Sequence, residues 1–237
     1  MQVSNMKQAK STNQNPKCDP SDAKRIVVVD DHPLFRKGLA ELIHSEDHLA
    51  VCGEADNAAE AMEVIRKLNP DLVIVDLSLP GANGIELIKN VRAEFANLPI
   101  LVLSMHDESL YALRALRAGA EGYVMKHEAM ANVIHAIHEV FNGRPYLSPA
   151  MAAQVITKFA HRDSENEADA VERLSDRELE ILELIGKGKD VRDIAKLLHL
   201  SPKTVETHRS HIKDKLDLKN SREVARFALQ WLSTRGG

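Results

Sequence analysis

Residues 26–33 read IVVVDDHP, from Ile26 to Pro33. Four β-branched apolar residues in a row have the makeup of a strand buried on both faces, as in a parallel sheet. The run stops at two adjacent carboxylates, Asp30 and Asp31. Like charges this close disfavour each other's ionised form unless a cation or a donor stands between them. A buried strand ending in two acids therefore asks for a positive partner from elsewhere in the chain.

Outward from this stretch the pattern alternates. LFRKGLAELIHSE carries Leu34, Leu39, Leu42 and Ile43 at helical spacing, HLAVCGEAD reads as a second strand, and AAEAMEVIRKL as a second helix. DLVIVD, PILVLS and GYVMK read as strands three to five. IELIKNVRAEF, ESLYALRALRAG and EAMANVIHAIHEVFNG read as the helices that follow them, the last two closed by Gly119 and Gly143. Five βα units in series predict a doubly wound five-stranded parallel sheet with helices on both faces, an α/β fold.

In such a sheet the carboxyl ends of all strands open onto one edge. Strand one delivers Asp30 and Asp31 there, strand three Asp76, strand four Ser104 and strand five Lys126. Three carboxylates, a hydroxyl and an ammonium suit phosphoryl transfer to a carboxylate. Mg²⁺ is held by oxygen ligands, so Asp30, Asp31 and Asp76 would form a metal site that relieves their repulsion. Asp76 is the candidate nucleophile, Lys126 would neutralise phosphoryl oxygens, and the Ser104 hydroxyl would donate to one of them.

The chain has 237 residues, 44% hydrophobic and 28% charged, enough for one or two domains with real cores. The longest apolar runs are strand-sized, so no membrane span is expected. Residues 1–23 are polar, lack the apolar segment of a signal peptide, and read as a disordered tail. Cys18 and Cys52 are scattered and give neither a disulfide framework nor metal spacing, which points to a reduced, cytoplasmic setting.

Residues 148–173 change character. SPAMAAQVITKFAH continues as a helix, whereas HRDSENEADAVER is charged and reads as a linker. From Leu174 onward there are 13 Lys and Arg against 10 Asp and Glu, a net of +3; the remainder of the chain carries −7. That compact end is all-helical. Ser175 and Glu178 form a capping box, and VRDIAKLLHL, a turn at Leu200-Ser201 and PKTVETHRSHIKDKL have helix-turn-helix proportions. Ile194, Ala195, Leu198, Leu200, Val205, Ile212 and Leu216 supply a small core. A helix in the major groove sets its N-terminal residues on base edges while flanking cations hold phosphates. Lys203, Thr204, Arg209 and Lys213 are thus assigned to the backbone of double-stranded DNA, and Glu206, Thr207 and Ser210 to bases. The alternative for each is a solvated helix face. His135 and His138, and His208 and His211, lie three apart on helices but have no third ligand in view, and read as ordinary helix histidines.

IVVVDDHPLFRKGL, LVIVDLSLPGANGIEL, ILVLS and GYVMK resemble the receiver domain of two-component response regulators, over residues 24–147. LSDRELEILELIGKGKDVRDIAKLLHLSPKTVETHRSHIKDKLDLKN resembles the LuxR-type helix-turn-helix, over 174–233 of an expected DNA-binding domain at 174–237. Together they resemble the NarL/FixJ class, which implies a flavodoxin-like receiver followed by an all-α DNA-binding domain. By resemblance, a sensor histidine kinase phosphorylates Asp76, and the backbone carbonyl of Ser78 joins the Mg²⁺ ligands. Tyr123 is then the aromatic that turns inward on activation, with plain packing as its other reading. The resemblance also implies a homodimer when phosphorylated, bound to promoter DNA, with the SREVARFALQWL helix including Trp231 as one candidate contact. It implies a phosphoacceptor, not an enzyme beyond slow self-dephosphorylation. Two departures stand out: His127 rather than proline follows Lys126, and Met105 rather than a small residue follows Ser104, which would slow hydrolysis. A phosphohydrolase is the rival reading, weakened by Ser78 where a general acid would stand; a regulator whose receiver is vestigial is the other.

Overall fold

The computed structural model describes residues 23–160 and 167–234. Residues 1–22 of the expected tail and the middle of the expected linker, 161–166, lie outside the described residues. Strands β1 (Lys24–Val29), β2 (Leu49–Ala55), β3 (Leu72–Val75), β6 (Ile100–Ser104) and β7 (Gly122–Met125) form one sheet in the order β2-β1-β3-β6-β7. Every pairing in it is parallel. The remaining pair, β4 (Ser78–Leu79) and β5 (Ala82–Asn83), is a small antiparallel hairpin.

Period-two alternation divides each strand between two faces. Ile26, Val28, Leu72, Ile74, Leu101 and Leu103 meet α1 (Pro33–His44) and α5 (Ala129–Phe141) on one side. Val27, Val29, Val73, Val75 and Val102 meet α2 (Ala58–Leu68), α3 (Gly84–Glu94) and α4 (Glu108–Ala118) on the other. This explains why the strands read as unbroken apolar runs: both faces are covered. Chain order reverses between β1 and β3, which opens a crevice at their carboxyl ends.

The hairpin shapes that crevice. Pro80 and Gly81 make its turn, with Gly81 at φ +73°, where a side chain would be strained. Asn83 caps α3, its side chain accepting from Ile85 N at 2.8 Å. At Gly84 a Cβ would collide with the backbone of Asp76 and Leu77, so only glycine lets α3 start directly behind Asp76.

A helix, α6 (Pro149–Ala160), follows the sheet domain, and α7 (Glu167–Glu172) gives part of the expected linker regular structure. The C-terminal domain comprises α8 (Asp176–Gly186), α9 (Val191–Leu197), α10 (Pro202–Lys215) and α11 (Ser221–Ser233). The Ser175–Glu178 capping box is present at α8. His199 at φ +53° and the bond from Leu200 N to Ala195 O, 2.8 Å, make the turn between α9 and α10. Ser201 caps α10 by accepting from Thr204 N at 3.1 Å, with Pro202 in its first turn. α11 packs along α8, where Gly186 admits the Ala228 backbone and the Leu232 side chain. Trp231 is 8% exposed and belongs to this core. The expectation that Trp231 sits on a dimer face is thereby corrected; Leu229, 63% exposed, is the large apolar residue on the outer side of α11.

Candidate functional site

The carboxyl edge brings together the residues that the sequence scatters over about a hundred positions. Lys126 Nζ lies 2.7 Å from Asp30 Oδ2 and donates to Asp76 Oδ2 at 2.8 Å. All three side chains are buried. Lys126 stands one residue past β7, in a 3-10 turn rather than in the strand itself. Burial pushes the Asp76 carboxyl above the usual carboxylate range, and the Lys126 charge and hydrogen bond offset only part of this. Burial works against the Lys126 ammonium, but Asp76 and Asp30 outweigh it and raise its pKa. The lysine is the cation that the opening stretch of sequence called for.

The backbone around the acids is tied down. Asp30 Oδ1 accepts from His32 N at 2.8 Å, and Asp76 Oδ1 from Ser78 N at 3.2 Å. Arg36 reaches the Asp30 carbonyl and holds Glu54 at 2.7 Å. Asp31 Oδ1 is buried with no well-directed hydrogen bond, although His32 Nδ1 sits 2.6 Å to its side. Asp30, Asp31, His32 and Asp76 each bring one ligand atom to within 4.8 Å of the others. The three carboxylates of this group, one of them with an unsatisfied oxygen, are hard oxygen donors that fit Mg²⁺, the ion receiver domains generally use. His32 is a member of the cluster that the sequence did not single out.

Ser104 is fully buried, and its Oγ accepts from His106 N at 3.1 Å. Tyr123 is buried, pointing inward, and its hydroxyl donates to His106 O at 2.8 Å. Burial raises the Tyr123 phenol well above its ordinary value, so it stays a donor. Met105, by contrast, is 66% exposed, and its bulk lies at the surface.

His106 is the residue that sequence reasoning missed. Its backbone is held by Ser104 and Tyr123; its ring shares a hydrogen bond with Ser78 Oγ at 3.1 Å and stacks on Tyr111 with centroids 4.4 Å apart. The same ring faces the C-terminal domain, with Nδ1 3.4 Å from Glu183 and Nε2 4.0 Å from Glu180. Both glutamates project from α8 and are buried. Burial would raise the Glu183 carboxyl, yet hydrogen bonds from His106 and Lys187 prevail and hold it at about 2. Asp31, Ser78, His106, Glu180, Glu183 and His199 line one cavity of about 220 Å³, so α8 and the end of α9 roof the acidic crevice. Beside it, Arg114 donates to Leu174 O at 2.9 Å and Asp176 at 3.0 Å, and Lys89 reaches Asp176 at 3.1 Å. The only local clue was two acids, Glu180 and Glu183, set among the apolar residues Leu179, Ile181, Leu182 and Leu184 of α8.

On α10, Val205 and Ile212 are buried, while Lys203, Glu206, Thr207 and Ser210 are exposed with the two domains docked. The face expected to read bases is therefore open to solvent. Thr204 is half-buried, its hydroxyl 2.8 Å from Ser201 Oγ, and Lys213 lies 3.2 Å from Asp214. Arg209 is also half-buried and pairs with Glu206 at 2.9 Å, so neither of those two is free to reach DNA without giving up the other.

Comparison with known proteins agrees with this layout. The family described as response regulator receiver domain matches residues 26–138, and the bacterial regulatory proteins of the luxR family match 172–228. Oxygen regulatory protein NreC of Staphylococcus carnosus (strain TM300) is 36% identical over 210 residues, which cover 87% of this chain and 97% of that protein. The chain is a two-component response regulator of the NarL type. Its family are transcription regulators. A LuxR-family response regulator from Aurantimonas sp. SI85-9A1 aligns at TM-score 0.55 and 39% identity, covering 58% of this chain and 99% of that one. RcsB of Salmonella typhimurium aligns at TM-score 0.62 and 26% identity, over 88% of this response regulator and 98% of its own chain. A further RcsB structure, at TM-score 0.59 and 26% identity over 87% and 98% of the two chains, is bound to promoter rprA with the phosphomimetic BeF3-. Among the described residues of this response regulator, no helix is long and apolar enough to cross a membrane.

Proposed function

We propose that this response regulator works in the cytoplasm and accepts a phosphoryl group on Asp76 from its cognate sensor histidine kinase. The receiver unit is 24–147, the linker 148–173 and the DNA-binding unit 174–237. One observation carries this reading: Lys126 bridges Asp30 and Asp76 beside a buried Ser104 at a single strand edge. In the transfer, a carboxylate oxygen of Asp76 attacks phosphorus, the P–N bond of the phosphohistidine breaks, and the leaving imidazole keeps the bond's electrons. Asp30, Asp31 and Asp76, with the Ser78 carbonyl, would hold Mg²⁺, which when bound would neutralise phosphoryl oxygens. Lys126 exchanges its bond to Asp76 for one to the phosphoryl group, and Ser104 donates to another oxygen. Positioning and charge supply the catalysis, so the chain is a phosphoacceptor rather than a turnover enzyme.

Phosphorylation adds about −1.5 to −2 charge under a roof bearing Glu180 and Glu183. A Ser104 that turns to the phosphate drops His106 N, and His106 is what those glutamates hold. The DNA-binding unit is then released to pair as a homodimer on promoter DNA, as RcsB is seen bound to a promoter with a phosphomimetic. Lys203, Thr204, Arg209 and Lys213 serve the phosphates; Glu206, Thr207 and Ser210 serve the bases. Incubation with Mg²⁺ and acetyl phosphate tests the first step by intact mass. A phosphoryl increment that is absent in Asp76→Asn supports the reading, and an equal increment in both proteins overturns it.

A further inference from the structure

His208 and His211 lie three apart on α10, and from sequence alone they have no third ligand. The fold supplies one. Among the described residues two groups of side chains have metal-binding proximity: the acidic crevice, and Glu178 with His208 and His211, one ligand atom from each within 4.8 Å of the others.

Each of the three is prepared in a different way. Glu178 is buried at the start of α8, and its two oxygens are divided. Oε2 accepts from Ser175 N and Lys215 Nζ, both at 2.7 Å, while Oε1 faces His211 Nδ1 at 3.6 Å. A carboxylate anchored through one oxygen presents the other in a fixed direction, which is how metal-binding carboxylates are commonly held. His208 contributes an orphan: its Nδ1 is buried with no hydrogen-bond partner among the described residues. His211 is largely exposed, stands edge-on to His208 with ring centroids 6.3 Å apart, and is free to turn toward it. Burial also lowers the His208 pKa, and the Lys215 and Ser175 hydrogen bonds outweigh burial to lower that of Glu178, so the imidazole is neutral and the carboxylate ionised near pH 7.

We propose that Glu178, His208 and His211 form a second cation site, for a divalent transition metal of the Zn²⁺ type. Two imidazoles and one carboxylate select such an ion over Mg²⁺ and leave a fourth position open to water. Tetrahedral Zn²⁺ needs ligand atoms roughly 3.4 Å apart, given bonds of about 2.0–2.2 Å; Glu178 Oε1 and His211 Nδ1 already stand 3.6 Å apart, and all three ligand atoms lie within 4.8 Å of one another. The bound ion staples α10, the DNA-reading helix, to α8, the helix that docks on the receiver. Metal would thus stabilise the DNA-binding domain without touching Asp76.

The test uses the full chain in excess Mg²⁺, which keeps the acidic crevice occupied, titrated with Zn²⁺ by calorimetry and with Co²⁺ by visible absorption. The expected result is one Zn²⁺ per chain, a tetrahedral Co²⁺ spectrum and a rise in melting temperature. His211→Ala, a surface change that spares the fold, should weaken Zn²⁺ binding by about tenfold or more and abolish the spectrum, and His208→Gln should do the same. Zn²⁺ affinity and Co²⁺ spectrum unchanged in His211→Ala would overturn the proposal, whatever His208→Gln does to folding.

Discussion

The Tyr111 hydroxyl donates to Glu183 Oε2 at 3.1 Å across the boundary between receiver and DNA-binding domain, with both groups buried. Tyr111 lies on α4, the helix that follows β6 and Ser104, and Glu183 on the helix that roofs the acidic crevice. Docking of the two domains therefore rests on a polar cluster around His106 as well as on apolar contact. Removing the phenol in Tyr111→Phe leaves a buried carboxylate short of a donor, at a cost of about 1–3 kcal/mol to docking. The variant is expected to show a larger radius of gyration in small-angle scattering and faster labelling of Asp76 by acetyl phosphate. Wild-type values for both would mean that this contact does not hold the domains together.

Glu183 also sets a pH dependence. Its carboxyl is held at about 2 in the docked form, against an ordinary 4.5. A depressed acid contributes stability that is complete above 4.5 and is lost as pH falls toward 2. Scattering between pH 7 and 3 should thus show compact particles to about pH 4.5 and progressive separation below it. Glu183→Gln should be less compact at pH 7 and lack this step.

In the acidic crevice, Lys126 is the one ammonium shared by two buried carboxylates. Lys126→Ala strands both charges, and breaking a buried pair this way costs about 3–5 kcal/mol. Because a divalent ion bound only to the folded state stabilises by mass action, Mg²⁺ is expected to raise the melting temperature of the wild type. It should raise that of Lys126→Ala further, where no ammonium competes for the oxygens. A melting curve for the variant that ignores Mg²⁺ would argue against an ion at Asp30, Asp31 and Asp76.

These two clusters differ in how far the sequence announces them. Asp30, Asp31, Asp76 and Ser104 were legible because strand direction fixes where a strand-terminal residue must go, and the apolar runs made the strands unmistakable. Lys126 was legible for the same reason, although it sits just beyond its strand. His106, Glu180 and Glu183 were not, because a pairing between a loop and a helix some 75 positions apart leaves no local period. Glu178 beside His208 and His211 was hidden in the same way: its capping role is written in the Ser175–Glu178 spacing, its tertiary neighbours are not. Trp231 was misplaced on the surface since an amphipathic helix seen alone does not say whether its aromatic faces its own domain or a partner.

Gly84 makes a backbone claim that can be checked separately. Any Cβ there meets the Asp76 carbonyl and lies 2.5 Å from Leu77 Cα, and backbone cannot yield as a side-chain tip can. Gly84→Ala is expected to displace the Asp76 loop, lowering both stability and phosphoryl uptake, whereas Gly38→Ala, with nothing within 4 Å of its Cβ, should leave uptake unchanged. Equal labelling of the two variants would show that the close approach behind Asp76 is dispensable.

On α10, Lys203 and Ser210 lie on the same exposed face but should fail differently. A lysine on a phosphate releases counterions whatever the sequence, so Lys203→Ala should weaken binding to all duplexes alike and reduce the slope of log K against log salt by about 1. A serine on a base edge carries no such charge. Ser210→Ala should leave the slope intact and change the ratio between operator and random DNA instead. Binding measured by anisotropy at several salt concentrations separates the two. An unchanged slope for Lys203→Ala would remove Lys203 from the phosphate contacts, while an unchanged operator preference for Ser210→Ala would remove Ser210 from the bases.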